Sequence, residues 1–357
     1  MLKRRRVFLA SSVAGLATGA VAIRGFLMSD SKGGAAVEGA GRVNSEQGQL
    51  RILRPERHGA LIIFDRGRSG EIRELVKNAR LVAGNGVSVG IGLGASYFGV
   101  SVLRPTQLTE MPAFAGDLLD PAQSHGDVLV QIAGDSAALV QKAVERVLAE
   151  NASGWTFRWR IDGFRAETRV EGGRGLARNP FHFTEGFGNP ESEREVADRA
   201  LVREGQGEPE WAVGGSYQVV RVIRFATELW DKDSVDEQER IMGRRRDGRW
   251  LDGTPVGEEP NFAADPKGRQ TPLDSHVRLA APDRRNPPQL VRRSYSYDRG
   301  DGDTGIIFNC YQRDLVEAFG AVQKRLEGEA LAKYVLTTGG GYFFVPPPGD
   351  AWIDALS

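Results

Sequence analysis

The sequence predicts an α+β fold made of two similar halves, residues 51–203 and 204–357. After about residue 50, short apolar runs bounded by turn residues alternate with segments of helical spacing. The elements follow the order βαββαβ, and the second half repeats that order. A strand–aspartate–helix segment also recurs with the same internal spacing in both halves.

The first half begins with the apolar run "ALIIFD" at residues 60–65, which predicts a strand. The first helix is predicted in "GEIRELVKNARLVAG", where apolar residues recur at helical spacing at Ile72, Leu75, Val76 and Ala79. Strands follow in "GVSVGIGLG" and "DVLVQIAG", then a helix in "SAALVQKAVERVLAE" and a strand in "WTFRWRI". This order is that of a ferredoxin-like unit.

The second half shows the same order of elements. We predict a strand in "GSYQVVRVIRF", a helix in "SVDEQERIMG", and two strands in "HVRLA" and "GIIFNCYQ". A helix in "LVEAFGAVQKRLEG" and a closing strand in "GGYFFVPP" complete the half. The chain is therefore predicted to contain two ferredoxin-like units.

One pair of segments supports a duplication. In "GDVLVQIAGDSAALVQKAVERVL", Asp135 follows Gly126 by nine residues and an arginine lies eleven residues further on. In "GIIFNCYQRDLVEAFGAVQKRL", Gly305, Asp314 and Arg325 keep those spacings. Each aspartate stands where a helix N-cap is expected. Two unrelated α+β halves remain the alternative.

Composition excludes some classes of function. The formal net charge is zero, whereas general nucleic-acid binding favours a basic excess. The single cysteine, Cys310, has no partner for an internal disulfide. Because Cys310 stands in an apolar strand, we expect a small buried thiol.

Residues 1–22 are typical of an export signal. A basic start precedes an apolar run that is short for a membrane span, and "AVA" at 20–22 fits a cleavage site. "RRVFLA", Arg5 to Ala10, matches the twin-arginine consensus, with an ordinary secretory signal or a basic membrane anchor as alternatives. Residues 23–50 are predicted to be a flexible lead-in. We expect an exported protein in the periplasm, at the cell surface or outside the cell.

Three segments combine residues suited to chemistry. "ARNPFHFTEGFGNPES" (177–192) places one carboxylate, Glu185, in a turn-rich loop. "DSHVRLAAP" (274–282) contains His276, one of only four histidines, and "QLVRRSYSY" (289–297) contains two arginines. A surface loop and a surface histidine are the structural alternatives.

A histidine, an acid and an arginine are the groups that haem peroxide chemistry requires. A neutral imidazole binds the iron, and a carboxylate moves a proton between the two peroxide oxygens. A guanidinium stabilises negative charge as the O–O bond breaks.

The chain resembles the DyP-type (dye-decolorising) haem peroxidases, in the twin-arginine-exported branch, from about residue 60 to 347. The resemblance is carried by "GDLLDPAQSHGDVLVQI", "RNPFHFTEGFGNP", "GGSYQVVRVIRF", "WDKDSVDEQERIMGRR", "SHVRLAAP", "LVRRSYSY", "IIFNCYQRD" and "GGGYFFVPP". It implies a duplicated ferredoxin-like fold of the dimeric α/β-barrel type, with haem b bound by the C-terminal half.

The resemblance also implies roles for individual residues. His276 matches the haem ligand, and Glu185 and Arg292 match the catalytic acid and arginine, with Arg293 as the alternative. The residues expected around the cofactor are Asn189 at the haem edge, Phe308 on the distal face, Ser294 as a polar distal residue, and Glu329 beside the His276 imidazole. Cys310 as a thiolate ligand is a weaker alternative.

One loop departs from the family pattern. The family loop normally reads G-x-x-D-G, whereas this chain has "HFTEG", so that His182 replaces glycine and Glu185 replaces aspartate. Glu185 keeps a similar reference pKa but moves the carboxylate by one methylene. For His182 we expect a space-filling role rather than a contact to a haem propionate.

These residues predict an exported peroxidase that reduces hydrogen peroxide and oxidises bulky organic donors such as dyes or phenols. Surface aromatic residues would relay electrons, with Trp155, Trp159, Trp230 and Trp250 as candidates. The alternative is a haem- or iron-handling protein with weak peroxidase activity. The predicted partners are peroxide, the organic reductant and the twin-arginine machinery, with self-association left open and nucleic acid excluded.

Overall fold

The computed structural model describes residues 56–171, 174–190, 192–255 and 258–357, with no account of the side chains of 167–171 and 174–176. The predicted signal (1–22) and lead-in (23–50) lie outside the described residues, and the boundary predicted at 203/204 stays a prediction. Within the described ranges, no helix has the length and apolar character needed to cross a membrane.

The described residues form strands and short to medium helices. The strands are β1 His58–Arg66, β2 Val87–Gly94, β3 Val128–Gly134, β4 Trp155–Phe164, β5 Glu167–Glu171, β6 Arg174–Ala177, β7 Ser216–Phe225, β8 Val291–Arg292, β9 Tyr295–Asp298, β10 Thr304–Gln312 and β11 Val335–Val345. The α-helices are α1 Ile72–Arg80, α2 Ala95–Phe98, α3 Ala137–Asn151, α4 Glu193–Ala200, α5 Thr227–Trp230, α6 Val235–Met242, α7 His276–Ala280, α8 Ala321–Arg325 and α9 Ala351–Leu356.

The large sheet closes into an antiparallel barrel. Its strands follow the order β7-β11-β2-β3-β1-β4-β9-β10, and β10 pairs back with β7. Each half contributes four neighbouring strands, in the order β2-β3-β1-β4 and, in the second half, β9-β10-β7-β11. The two orders are equivalent, because each half places its first and third strands side by side in the centre. The predicted α+β fold with duplicated ferredoxin-like halves is confirmed.

Side chains alternate between the inside and the outside of the barrel, as the strand pleat requires. Leu61 and Ile63 of β1 join one buried cluster with residues such as Val220 of β7 and Ile307 of β10. Their neighbour Ile62 joins a second cluster, which also contains the buried faces of α1 and α3. The helical face predicted from Ile72, Leu75, Val76 and Ala79 is buried as expected.

The prediction of a strand in "HVRLA" was wrong, because His276–Ala280 is the short helix α7. Five residues are too few for hydrophobic periodicity to separate helix from strand. Tertiary contacts stabilise the helix, since Arg325 donates to the carbonyl oxygens of Leu279 (3.0 Å) and Ala280 (2.9 Å) at its C-terminal end. The second strand of this half comes instead from "QLVRRSYSY", as β8 and β9.

Two smaller predictions need correction. The continuous helix predicted in "LVEAFGAVQKRLEG" is a π-helical turn, Val316–Gly320, followed by α8. Asp314 accepts from the Glu317 amide at 2.8 Å, as a capping residue does. At the other predicted cap, Ser136 accepts from Leu139 N, while Asp135 accepts from Arg57 N at 3.1 Å.

A buried ion pair fixes the long connection between α2 and β3 to the barrel. Asp117 in this connection receives two hydrogen bonds from Arg221 of β7, at 3.0 and 2.6 Å. Arg221 also donates to Thr337 of β11 at 2.7 Å. The Arg221 and Asp117 side chains are 5% and 3% exposed, so neither charge could be solvated if its partner were removed.

We therefore expect Asp117→Ala to lower the free energy of unfolding by about 3–5 kcal/mol, because it leaves a buried guanidinium without its carboxylate. Asp162→Ala is the matched control: this aspartate pairs with Arg160 but its side chain is 58% exposed, and its loss should cost about 1 kcal/mol or less. Urea unfolding of both variants measures the difference. Equal costs would contradict the structural role given to Asp117.

Candidate active site

The loop that carries Glu185 is fixed by hydrogen bonds at both of its ends. Asn179 Oδ1 accepts from the amides of Phe181 (3.1 Å) and Phe183 (3.0 Å), which forms a tight turn after β6. The Glu185 amide donates to the carbonyl oxygen of Ala177 at 2.8 Å. The sequence therefore places the Glu185 side chain on a rigid hairpin rather than on a free surface loop.

Glu185 is a carboxylate surrounded by cations. Burial raises the pKa of its carboxyl group, while Arg165, a hydrogen bond from Asn179, Arg244 and Arg292 act in the opposite direction. The net shift is upward, because the loss of water outweighs the neighbouring charges. The site thus contains an acid that takes up a proton at a higher pH than an exposed glutamate.

Hydrogen bonds to the main chain and to the guanidinium of Arg292 hold this residue in place. Asn189 donates to the Arg292 carbonyl oxygen at 2.8 Å and accepts from the Arg292 amide at 2.9 Å. The Arg292 guanidinium also donates to the carbonyl oxygen of Phe187. Burial lowers its pKa, and the nearby Arg284 adds to that effect. Asn189 therefore joins the Glu185 loop to the strand that carries Arg292.

Arg293 lies on the opposite side of the strand. Its side chain is 5% exposed and forms an ion pair with Glu56, and Tyr295 and Tyr311 are also close to it. The charge of Arg292, in contrast, lowers the pKa of the Glu185 carboxyl group. The structure thus separates the two candidate arginines and places Arg292 at the site.

His276 and Glu329 form a second group. His276 begins α7, and its Nδ1 lies 2.7 Å from Glu329 Oε2. The Glu329 side chain is only 9% exposed, whereas that of His276 is 32% exposed. An imidazole that donates from Nδ1 to a carboxylate presents Nε2 as its basic nitrogen. The pair therefore has the arrangement of a metal-binding histidine with its orienting acid.

Gly243 and Arg244 connect the two groups. Gly243 ends α6 with a φ of 87°, and a Cβ on it would lie 2.6 Å from both Ser275 and Val277, the neighbours of His276. The next residue, Arg244, acts on Glu185 and on Arg292. The sequence did not indicate Arg244 or Arg165 as site residues, although Arg244 lies in the segment "WDKDSVDEQERIMGRR" that resembles the family.

Of the other predicted residues, Phe308 and Cys310 lie on β10, and Ser294 lies between β8 and β9. Ser294 Oγ accepts from the Asn309 amide at 3.3 Å. Phe308 is half-buried on β10, and its ring centroid lies 6.0 Å from that of Phe319. Cys310 is fully buried opposite Arg292, and burial raises the pKa of its thiol. The geometry favours the predicted buried thiol over a thiolate.

His182 does not fill space in the interior. Its side chain is 46% exposed, and its Nε2 lies 3.0 Å from Asp231 Oδ1. Its φ of 69° is in the left-handed region, which glycine occupies without strain. The expectation of a packing role was wrong, since the backbone conformation, not side-chain space, explains why glycine suits this position.

The four tryptophans considered as surface relays are not at the surface. Trp155, Trp159, Trp230 and Trp250 are between 0 and 6% exposed, so none can contact a bulky donor directly.

In the described part of the chain, no cluster of three or more His, Cys, Asp or Glu side chains is arranged to hold a metal ion.

Comparisons with known proteins identify the family of the chain. Residues 70–165 match the model of the Dyp-type peroxidase N-terminal domain, and residues 176–350 match that of the C-terminal domain. Proteins named deferrochelatase from Yersinia pestis and Escherichia coli K12 are 40% and 38% identical over 73% of this chain. The matches span 63% and 64% of the length of those relatives.

Solved structures show the same fold. A DyP-type peroxidase from Streptomyces coelicolor has a TM-score of 0.75 and 29% identity, and the match covers 84% of this chain and 91% of that one. Ferric DtpA from Streptomyces lividans has a TM-score of 0.76 and 29% identity, over 85% and 94% of the two chains.

The backbone at His182 leads to a stability prediction. His182→Gly should raise the free energy of unfolding by about 1 kcal/mol, because glycine occupies the left-handed region without the steric cost that a Cβ imposes. His182→Ala is the control, since it also removes the Asp231 contact but keeps a Cβ. If denaturant unfolding shows no difference between the two variants, the strain assigned to His182 is absent.

Proposed function

We propose that this chain, which belongs to the Dyp-type peroxidase family, is a haem peroxidase that uses hydrogen peroxide to oxidise bulky organic donors. The observation that carries the proposal is the pairing of two groups. One holds a half-buried carboxylate beside a fixed arginine, Glu185 and Arg292. The other holds a histidine oriented by an acid, His276 and Glu329.

The residues present fit haem b. His276 Nε2 is the nitrogen left for iron once Nδ1 is engaged with Glu329. Among the described residues, the buried arginine nitrogens without a hydrogen-bond partner include Arg165 Nε, Arg199 Nη1, Arg244 Nη1 and Arg246 Nε. The charges of Arg165 and Arg244 lower the pKa of Glu185, and the charge of Arg199 lowers the pKa of Arg292. A cofactor with two carboxylates suits a site with this excess of cations.

Haem, when bound, would supply the iron centre at which peroxide is reduced. His276 would hold the cofactor, and Glu329 would fix the tautomer and the orientation of the imidazole. Asn189 keeps Arg292 in position through two main-chain hydrogen bonds.

Glu185 would transfer a proton, and Arg292 would stabilise negative charge. In its deprotonated form, Glu185 Oε accepts the proton of one peroxide oxygen and returns it to the other oxygen, which leaves as water. Arg292 stabilises the negative charge that develops as the O–O bond breaks. Over the whole reaction, peroxide gains two electrons from the donor and two protons, and yields two water molecules.

The raised pKa of Glu185 sets the acid limit of activity. Because the deprotonated carboxylate accepts the proton, the rate of reaction with peroxide should fall as the pH drops through that raised pKa. This fall should occur above the pH expected for an ordinary glutamate, whose reference pKa is about 4.3. Glu185→Gln should lower the rate about 10²–10⁴-fold at neutral pH, and stopped-flow mixing with peroxide measures it.

Glu185→Asp is the matched variant, because it keeps the carboxylate and shortens its reach by one methylene. It should retain an acid limb in the pH profile, which Glu185→Gln should lose. An acid limb that persists unchanged in Glu185→Gln would assign the titration to another group.

The histidine ligand gives a second prediction. His276→Ala should abolish the Soret band of protein produced with haem available, because the iron loses its protein ligand. His182→Ala is the control, since His182 lies at the surface beside Asp231, and its Soret band should be unchanged. Haem bound with an unaltered spectrum in His276→Ala would contradict the ligand assignment.

Export, the donors and assembly are further parts of the proposal. "RRVFLA" at Arg5–Ala10 supports export by the twin-arginine machinery, to the periplasm, cell surface or exterior. Dyes and phenols are the proposed donor class, and self-association stays open. Turnover of an anthraquinone dye with peroxide tests the enzymatic part directly.

The name deferrochelatase, which similar proteins carry, favours iron handling on haem as a second candidate function. The two functions differ in their products, because a peroxidase consumes peroxide and oxidises the dye. Haem binding without dye turnover in both the wild-type protein and Glu185→Asp would favour iron handling.

A further inference from the structure

We propose that Arg244 is a positioning residue for Glu185, which orients the carboxylate and keeps it available as a proton acceptor while Arg292 remains free to face peroxide. The inference rests on the proposed function of Glu185 and deepens it. It assigns to the site a second arginine with a task distinct from that of the first.

The main chain directs Arg244 towards the Glu185 loop. Gly243 ends α6 in the left-handed conformation and packs so closely against Ser275 and Val277 that a Cβ would meet atoms of both at 2.6 Å. Arg244 then pairs with Trp250 in an isolated antiparallel bridge. The segment between them is fixed to the loop, because Arg246 O accepts from the Thr184 amide at 2.9 Å.

Two phenylalanines hold the Arg244 guanidinium against the same loop. Its Cζ lies 5.4 Å from the ring centroid of Phe183 and 5.7 Å from that of Phe187. These residues stand two positions before and two positions after Glu185. Cation–π contacts of this kind stabilise a partly desolvated guanidinium. The arginine is therefore attached to both sides of the residue that it serves.

Of the two carboxylates whose charges affect Arg244, that of Asp247 already forms an ion pair, so Glu185 is the counter-charge that we assign to Arg244. The charged groups that act on Arg244 are Glu185, Arg292 and Asp247, and Asp247 pairs with Arg249 at 2.8 Å. Burial lowers the pKa of Arg244 to about 10, so it stays cationic at neutral pH.

The two arginines can therefore divide the work. Arg292 is anchored to Phe187 O and, through its main chain, to Asn189, and the proposed function needs its charge for the breaking O–O bond. If Arg292 were the only cation near Glu185, its single positive charge would have to stabilise both the carboxylate and the negative charge on the peroxide. Arg244, together with Arg165, counters the cost of burying the deprotonated carboxylate.

The test is the titration of Glu185 in the apoprotein, which needs no bound haem. Infrared difference spectra of protein labelled with ¹³C-glutamate, with Glu185→Gln as the subtracted reference, report the protonated carboxyl group. Arg244→Met should move the midpoint of Glu185 upward by about one pH unit or more, as expected for losing a nearby opposite charge. Arg244→Lys should restore most of the shift, because it returns the charge.

Arg245→Met is the matched control. Arg245 is the exposed neighbour that pairs with Glu239 at 3.6 Å, and its loss should leave the midpoint unchanged. Arg244→Gln serves if the methionine variant does not fold, as judged by near-ultraviolet circular dichroism. In haem-loaded protein, the acid limb of the peroxide reaction should move by the same amount as the apoprotein midpoint.

An unchanged Glu185 midpoint in a folded Arg244→Met variant would overturn the proposal. If that variant instead lost only haem affinity, Arg244 would be a propionate partner and not a positioning residue for Glu185. Failure of the proposed function is a separate result, because a wild-type protein without peroxidase activity would still show whether Arg244 controls the apoprotein titration.

Discussion

Neighbouring side chains of a β-strand point to opposite faces of the sheet, and this constraint organises the site at Arg292 and Arg293. The pleat sends Arg293 to Glu56 and leaves Arg292 beside Glu185. Two hydrogen bonds, one donated and one accepted by the Asn189 side chain, then fix the main chain of Arg292 to the Glu185 loop. A shift of one residue in this pairing would exchange the two arginines and move the proposed catalytic cation away from Glu185.

The duplicated fold makes this arrangement stable. Strand β10 pairs with β7 on one side and with β8 and β9 on the other. The strand that aligns Arg292 is therefore hydrogen-bonded along both of its edges within the closed barrel. On the outside of that closed sheet, arginines gather around Glu185 in excess of their carboxylate partners. Such an excess is costly for folding and is understandable in a site that receives an anionic cofactor.

The sequence predicted the strands and amphipathic helices of both halves because hydrophobic periodicity is a local property. It predicted Glu185, Arg292 and His276 through motif resemblance, and those side chains fall into the two groups described above. It could not assign α7 as a helix, because contacts from Arg325 stabilise those five residues. Arg244 was missed for a similar reason: its role depends on Phe183 and Phe187, which are distant in sequence.

We propose that Glu185, Arg292 and His276 form a haem site that reacts with peroxide. The most direct measurement is the absorption spectrum of the haem-loaded protein before and after addition of one equivalent of hydrogen peroxide. We expect a Soret band that changes rapidly on mixing and returns to its original form when an organic donor is added. A Soret band that is insensitive to peroxide would contradict it.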